Sequence, residues 1–301
     1  MSELLQQIIN GISLGSIYAL IALGYTMIYG ILRFINFAHG DVFMVGSFIG
    51  YYLAPGIISL AGGNLILAAP IVLMAAMLGC SVLGMTIEKL AYRPLRSRPK
   101  LTVLITAIGV SFFLEYGGQL VFGPDPKLFP ALIPSGFVIN TENLVVGTNS
   151  IVVIATALAL MLLLRFIVFN TRMGTAMRAV SYNHRAASLM GINIDTVISF
   201  TFILGSSLAA AAALLYSSVY PSINPLMGIF PGLKAFVAAV LGGIGNLAGA
   251  ALGGLIIGIT ETFVSGYISS TFRDAIAFSI LILILLFKPA GILGSHESEK
   301  V

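Results

Sequence analysis

Long apolar runs separated by short polar segments make up most of the 301-residue chain. Most of these runs reach the roughly 20 residues that an α-helix needs to cross a bilayer, where a helix satisfies its own backbone groups. The pattern therefore predicts an all-α polytopic membrane protein, a single transmembrane domain over residues 1–301 with about eight to nine transmembrane or re-entrant helices. The runs are, in chain order, 5–29, 31–53, 64–87, 101–121, 150–169, 197–219, 232–245, 247–267 and 271–288.

The run at 232–245 differs from the other eight, because it is short and contains several glycines. It forms with 247–267 either two crossings or a re-entrant pair, and both arrangements place the chain termini on the same sides. The pattern does not choose between them.

Composition excludes a soluble protein. Hydrophobic residues make up 58% of the chain and charged residues 9%, whereas soluble domains carry about 25% charged residues. The net charge of +4 does not indicate nucleic acid, because the basic residues are dispersed between apolar runs and form no patch. The bilayer itself is the expected partner of this surface.

The dispersed basic residues predict how the chain is oriented. If the first run crosses from outside to inside, twelve Lys and Arg residues fall inside and only Lys127, Lys234 and Arg273 fall outside. The positive-inside rule then places the N-terminus outside and the C-terminus in the cytosol. Two longer polar segments follow from this topology, an external loop at 122–149 and a cytosolic segment at 170–196.

The cytosolic segment is expected to be a short amphipathic helix. Met177 and Val180 belong to a series of apolar residues at helical spacing that ends at Met190, while Arg178 and Arg185 share another side. No G-x-x-x-x-G-K-[S/T] phosphate loop occurs anywhere in the sequence, so an ATP-driven process would need a separate ATPase subunit. The helix is either the docking element for that subunit or a linker lying on the headgroups.

Several polar residues lie within or beside the apolar runs and are candidates for a translocation path. An ionised carboxylate at bilayer depth usually faces protein or a water-filled cavity. The residues around 36–41 either lie at that depth or sit at the inner headgroup level. For the two glutamates, pairing with a neighbouring helix is the preferred interpretation, and Arg273 with Asp274 is expected to be an interfacial pair. The candidates are Asn36, His39, Asp41, Glu115, Asn246 and Glu261.

A catalytic or metal site is not expected at His39 and Asp41, because no further His or Cys cluster completes one. The sequence therefore predicts no metal, no cofactor and no enzymatic activity. Glycines at 242–254 loosely match a dinucleotide fingerprint, but no βαβ unit surrounds them. Overlapping GxxxG spacing instead predicts close helix packing, or a broken helix at 242–246 that lines a cavity. The packing residues are Gly242, Gly245, Gly249 and Gly253.

Taken together, several motifs resemble the permeases of branched-chain amino acid ABC importers, specifically the first of their two permease subunits. Motif order and spacing are kept from about residue 5 to 295. The motifs are N-F-A-H-G-D at 36–41, A-Y-R-P-L-R-S at 91–97, R-M-G-T-A-M-R-A at 172–179, S-L-M-G-I-N at 188–193, K-A-F at 234–236 and K-P-A-G-I-L-G at 288–294.

The resemblance implies a bacterial inner-membrane assembly with a second homologous permease subunit, two cytosolic ABC ATPases and an external solute-binding protein. The resemblance also implies that this assembly imports Leu, Ile, Val or related amino acids, or urea or short amides as in some relatives. The family's coupling segment maps onto 174–192, where relatives commonly carry an acidic residue in place of Tyr182. The residues expected to contact the ATPase are Gly174, Met177, Arg178, Val180, Tyr182, Arg185, Met190 and Gly191.

Two other classes of protein remain open on the residues alone. An autonomous ion-coupled carrier or channel would use Asp41, Glu115 and Glu261 as a proton relay. An intramembrane enzyme built on His39 and Asp41 ranks last, because a nucleophile and a base at convincing spacing are missing.

Overall fold

The computed structural model describes residues 2–96, 98–134, 136–141 and 144–294. Within these ranges the chain is predominantly helical. Its helices are α1 (Ser2–Leu32), α2 (His39–Leu60), α3 (Leu65–Ile87), α4 (Lys100–Phe122), α5 (Thr148–Asn170), α6 (Arg172–Tyr182), α7 (His184–Leu189), α8 (Ile194–Val219), α9 (Ile229–Gly242), α10 (Leu247–Tyr267) and α11 (Arg273–Phe287).

Eight of these helices are long and apolar enough to cross a membrane, which confirms the prediction of an all-α polytopic membrane protein. α3 qualifies together with the π-helical turn Glu88–Tyr92 and the 3-10 turn Arg93–Leu95 that continue it, and α11 with the 3-10 turn Ser270–Phe272 that precedes it. α9 is the exception, since its 14 residues extend only about 21 Å at 1.5 Å per residue. The two runs at 232–245 and 247–267 thus form one half-length helix, α9, and one full-length helix, α10.

α1 lies at the centre of the bundle and packs closely on α10. Gly11 and Gly15 of α1 face Ile259 and Leu255 of α10, and a side chain on Gly11 would lie 2.8 Å from the Ile259 Cα. Gly254 of α10 meets α1 in the same way. Small residues allow this close approach, which in lipid replaces the hydrophobic effect as a source of helix association.

Short β-ladders cover one end of the bundle, an element that the all-α prediction missed. Strand β1 (Lys127–Leu128) pairs with β4 (Ser222–Ile223), and β2 (Phe137–Thr141) pairs with β3 (Leu144–Gly147), both antiparallel. The predicted external loop at 122–149 therefore contains three strands, and the first of them is tied to the chain that follows α8.

The polar segment at 170–196 contains two helices where a single one was predicted. α6 ends at Tyr182, and α7 begins at His184 after a break at Asn183. The Asn183 side chain accepts a hydrogen bond of 3.0 Å from the Ala186 amide, and this N-cap favours the start of a new helix over continuation of α6.

Candidate functional site

The first turn of α2 lies inside the helix bundle. The His39 side chain is fully buried, and its ring packs so closely against Gly24 of α1 that a side chain at position 24 would collide with it. Gly24 precedes the end of α1 by eight residues, about 12 Å along the helix. The structure therefore places this turn inside the helix bundle, and its depth in the bilayer stays a prediction.

Two carboxyl groups meet beside this turn. Asp41 is buried in the first turn of α2 and accepts a hydrogen bond from the Ser111 hydroxyl of α4. Glu115, one turn further along α4 and also buried, interacts with both residues. Asp41 and Glu115, which the sequence singled out separately, thus belong to one polar cluster between α2 and α4.

The N-termini of α2 and α9 meet at the same level of the bundle. A side chain on Gly40 would lie 2.7 Å from the Gly228 carbonyl oxygen and 3.3 Å from the Gly232 Cα. The backbones can approach this closely only because all three positions are glycine. Because helix N-termini carry partial positive charge, their convergence inside a bundle resembles the broken helices of transporters.

Asn36 lies in the short link between α1 and α2. Its side-chain oxygen accepts a hydrogen bond of 2.6 Å from the Tyr92 hydroxyl, and both side chains are buried. This bond ties the N-F-A-H-G-D motif to the A-Y-R-P-L-R-S motif at the end of α3. The last residue of the second motif, Ser97, lies outside the described residues.

Lys234 of α9 and Glu261 form the centre of an ion network near the C-terminal end of α10. Lys234 Nζ lies 2.9 Å from Glu261 Oε1 and 2.6 Å from Asp274 Oδ1, and Arg273 also pairs with Glu261. Arg273 in turn donates to the Tyr220 hydroxyl at 3.4 Å. The preferred prediction for Glu261, pairing with neighbouring helices, is confirmed, whereas Arg273 and Asp274 are not a separate interfacial pair.

A second ion network lies where α3 ends. Glu88 is fully buried and accepts hydrogen bonds from Ser199 at 2.7 Å, from Arg93 at 3.2 Å and from Arg96. Arg96 also bonds to Asp195 at 2.6 Å. Burial lowers the pKa of the Arg96 guanidinium from its ordinary value, against the opposing effect of Asp195. Because Ser199 and Asp195 both belong to α8, the network around Glu88 joins the end of α3 to the start of α8.

The residues predicted to contact an ATPase divide between two surfaces. Met177 and Val180 are buried against the protein's own bundle, and Gly174 packs against the end of α5. These three positions are therefore not accessible to another subunit, because the apolar side of α6 already covers the bundle. The accessible positions of the predicted set are Arg178, Tyr182, Arg185, Met190 and Gly191. Leu189, which the sequence analysis did not name, is exposed beside them.

The glycine run forms the hairpin between α9 and α10. Gly242 and Gly249 pack backbone to backbone, and Gly253 packs against the Ala238 carbonyl, which agrees with the predicted packing role of these three. Gly245 differs, because nothing lies within 4 Å of its missing side chain. Its φ of +95° indicates a turn position that favours glycine.

Asn246 closes this hairpin. Its side chain accepts from the Gly249 amide at 3.1 Å, as an N-cap of α10, and donates to the Leu293 carbonyl at 2.9 Å. The Leu293 amide bonds in turn to the Gly242 carbonyl at 3.0 Å. The K-P-A-G-I-L-G motif therefore satisfies carbonyl groups at the end of α9.

The six path candidates thus fall into three places. Asn36, His39, Asp41 and Glu115 lie around the first turn of α2, while Asn246 and Glu261 lie at the two ends of α10. Sequence reasoning missed Ser111 and the pairing of Lys234. A lysine within an apolar run is a usable signal for Lys234, since such a charge needs a partner, but a lone serine in α4 gives none.

Comparison with known proteins agrees with this arrangement of motifs. Residues 7–287 match the family described as branched-chain amino acid transport system, permease component. The chain is 45% identical to the high-affinity branched-chain amino acid transport system permease protein LivH of Escherichia coli (strain K12), over 99% of this chain and 97% of that protein.

Two further relatives extend the comparison. The corresponding permease protein BraD of Pseudomonas aeruginosa is 42% identical over 99% of this chain and 98% of its own. A more distant one, the inner membrane ABC transporter permease protein YjfF of Escherichia coli (strain K12), is 25% identical over 89% and 81%. The chain therefore belongs to the family of branched-chain amino acid transport permeases.

Proposed function

We propose that this chain is the permease subunit of an ATP-driven importer of branched-chain amino acids in the bacterial inner membrane. The observation that carries the proposal is the family match over residues 7–287, together with 45% identity to a branched-chain amino acid permease. The sequence contains no phosphate loop, so the energy of ATP reaches the chain through two separate ATPase subunits. A second permease subunit and an external solute-binding protein complete the assembly.

The N-terminus lies outside and the C-terminus in the cytosol. The twelve-to-three distribution of Lys and Arg supports this orientation. α6 and α7 are then cytosolic, and the β-ladders are external. Cysteine labelling tests the topology, because Cys80 is buried and a cysteine introduced at Tyr182 would react only from the cytosolic side.

The translocation path runs past the first turn of α2. Asn36, His39, Asp41 and Glu115 supply its polar groups, and the meeting of α2 with α9 at Gly40 and Gly228 supports this location. Glycine contacts between helix ends can separate and re-form with little side-chain rearrangement. Glu261 and Asn246, the other two path candidates, also have structural roles, in the ion network and in the hairpin respectively.

The ATPase docks on the exposed side of α6 and α7. Tyr182 and Met190 are 87% and 82% exposed, and large exposed apolar side chains next to arginines are typical of an interaction site. The variants R178E and R185E should reduce co-purification of the ATPase while the permease remains inserted. Unchanged co-purification of both variants would exclude this docking surface.

Reconstitution tests the function as a whole. The complete assembly in proteoliposomes should take up leucine, isoleucine and valine only with ATP and the binding protein present. Inhibition of leucine uptake by urea or short amides would instead identify the chain as a urea or amide permease of the same family. ATP-dependent uptake by this chain alone would exclude the proposal.

An ion-coupled carrier is the second candidate, and the Asp41, Ser111 and Glu115 cluster favours it. Two adjacent carboxyl groups inside a bundle disfavour simultaneous ionisation, so they can hold a proton between them. The variants D41N and E115Q discriminate between the candidates. A carrier loses its dependence on the proton gradient in these variants, whereas an ABC permease shows no such dependence before or after substitution.

A further inference from the structure

Arg165 is a charged residue of the membrane-spanning helix α5, and it has no partner among the described residues. It is the only charged residue of α5, and it makes no hydrogen bond, ion pair or ring contact with the described residues. Its side chain is exposed among apolar neighbours that are also exposed, such as Leu162, Phe166 and Phe169. A guanidinium in such surroundings is stabilised by an anion from outside the chain.

A groove of suitable shape begins at this residue. The cavity, of about 500 Å³, lies between the end of α5 and the start of α10 and has Leu23 of α1 as its floor. Its walls are mostly apolar, with Met161 and Leu162 on one side and Leu247 and Ala251 on the other. The polar lining residues are Arg165, Asn170 and Asn246. A ligand that fits has an extended apolar part and one anionic group.

Depth along the helix supports a lipid as that ligand. Arg165 precedes the last residue of α5 by five positions, about 7.5 Å along the axis, which brings the guanidinium close to the phosphate level of one leaflet. The first turn of α10 borders the same groove, and its partial positive charge adds to that of Arg165.

We propose that the groove between α5 and α10 binds an anionic phospholipid, whose phosphate pairs with Arg165 and whose acyl chain fills the apolar part. The bound lipid neutralises the charge of α5 and fills the space between two helices that flank α1. The site is independent of the transported solute, whereas its leaflet and the assembly used to test it rest on the proposed function. In the orientation proposed above it faces the cytosolic leaflet.

Lipid analysis of the purified protein tests the proposal. The chain, expressed with its partner subunits and washed in detergent, should retain phosphatidylglycerol or cardiolipin when analysed by native mass spectrometry. The variant R165Q should lose most of this lipid, and R165K should keep more of it than R165Q. R172Q is the matched control, because Arg172 is an exposed arginine at the start of α6, beyond the end of α5.

A measurement of thermal stability accompanies the binding assay. Anionic lipid added to delipidated protein should raise the unfolding temperature of the wild type and of R172Q, but not that of R165Q, and zwitterionic lipid should have no such effect. Replacing a charge with an amide makes α5 easier to insert, so R165Q should reach the membrane in normal amounts. Equal lipid retention by R165Q and wild type would overturn the proposal. It would also be overturned if R165Q lost the second permease subunit while its lipid content stayed unchanged, because Arg165 would then contact that subunit.

Discussion

Lys234 donates a hydrogen bond of 2.9 Å to Glu261 across the interface between α9 and α10, and both side chains are buried. The pair fixes the half-length helix α9 against a helix of full length, close to the N-terminal part of α1. Removing one partner of a buried ion pair leaves an uncompensated charge, which generally costs more than the pair contributes. The stability of this region therefore depends on charge balance within the network.

The two partners of this pair should respond differently to substitution. E261Q leaves Lys234 and Arg273 together with only the half-exposed Asp274, and we expect it to lower the free energy of unfolding by about 3–5 kcal/mol. K234M should cost clearly less, because Glu261 keeps Arg273. Thermal unfolding measured by the reaction of the buried Cys80 with a thiol dye tests this, and equal losses would contradict it.

Close packing of α9 on α10 gives the second prediction. G249L places a side chain directly against the Gly242 backbone, so it should reduce stability by about 1–3 kcal/mol or prevent assembly. G109L is the control, since Gly109 lies in α4 with nothing within 4 Å of its missing side chain. A G249L protein as stable and active as G109L would mean that the hairpin opens in the functional state.

Side-chain exposure along α6 and α7 distinguishes residues available for docking from residues that the fold of the permease requires. L189D changes a side chain that is 84% exposed, so it should release the ATPase while changing stability by less than about 0.5 kcal/mol. M177D buries an unpaired carboxylate against the bundle and should destabilise the permease itself. Co-purification of the ATPase and unfolding temperature, measured on the same preparations, test both. Loss of stability in L189D would show that Leu189 stabilises the permease itself, which would contradict its assignment to docking alone.

The hydrophobic pattern predicted the membrane-spanning helices well, because each apolar run forms a helix regardless of its neighbours. It did not reveal that α2 and α9 begin inside the bundle. The start of α2 at His39 is set by Gly24, Gly40 and Gly228, which come together only after folding. Periodicity in one helix does not record such contacts between distant parts of the chain.

The partners of the apolar face of α6 and of the buried charges were likewise not predictable from the sequence pattern. Helical spacing correctly grouped Met177 with Val180, but spacing does not reveal whether an apolar face covers another subunit or its own bundle. The charges of Lys234 and Glu261 indicated that each needs a partner, and their separation of 27 positions is compatible with many pairings. Only the fold of the hairpin at 243–246 brings these two together.

The network around Glu88 gives the last prediction. E88Q removes the buried carboxylate that accepts from Arg93, Arg96 and Ser199, so both guanidinium groups lose their shared partner. We expect a loss of about 1–3 kcal/mol, because Arg93 is 36% exposed and Asp195 still offsets part of the charge.

D195N is the matched control for E88Q. Asp195 is more than half exposed, and exposed ion pairs contribute only about 0–1 kcal/mol. E88Q and D195N should also differ in transport, because Glu88 joins the end of α3 to the start of α8, directly after the proposed docking segment. In the reconstituted assembly E88Q should therefore hydrolyse ATP with reduced solute uptake, while D195N keeps both activities. An E88Q protein with wild-type stability and uptake would show that the connection between α3 and α8 does not require this carboxylate.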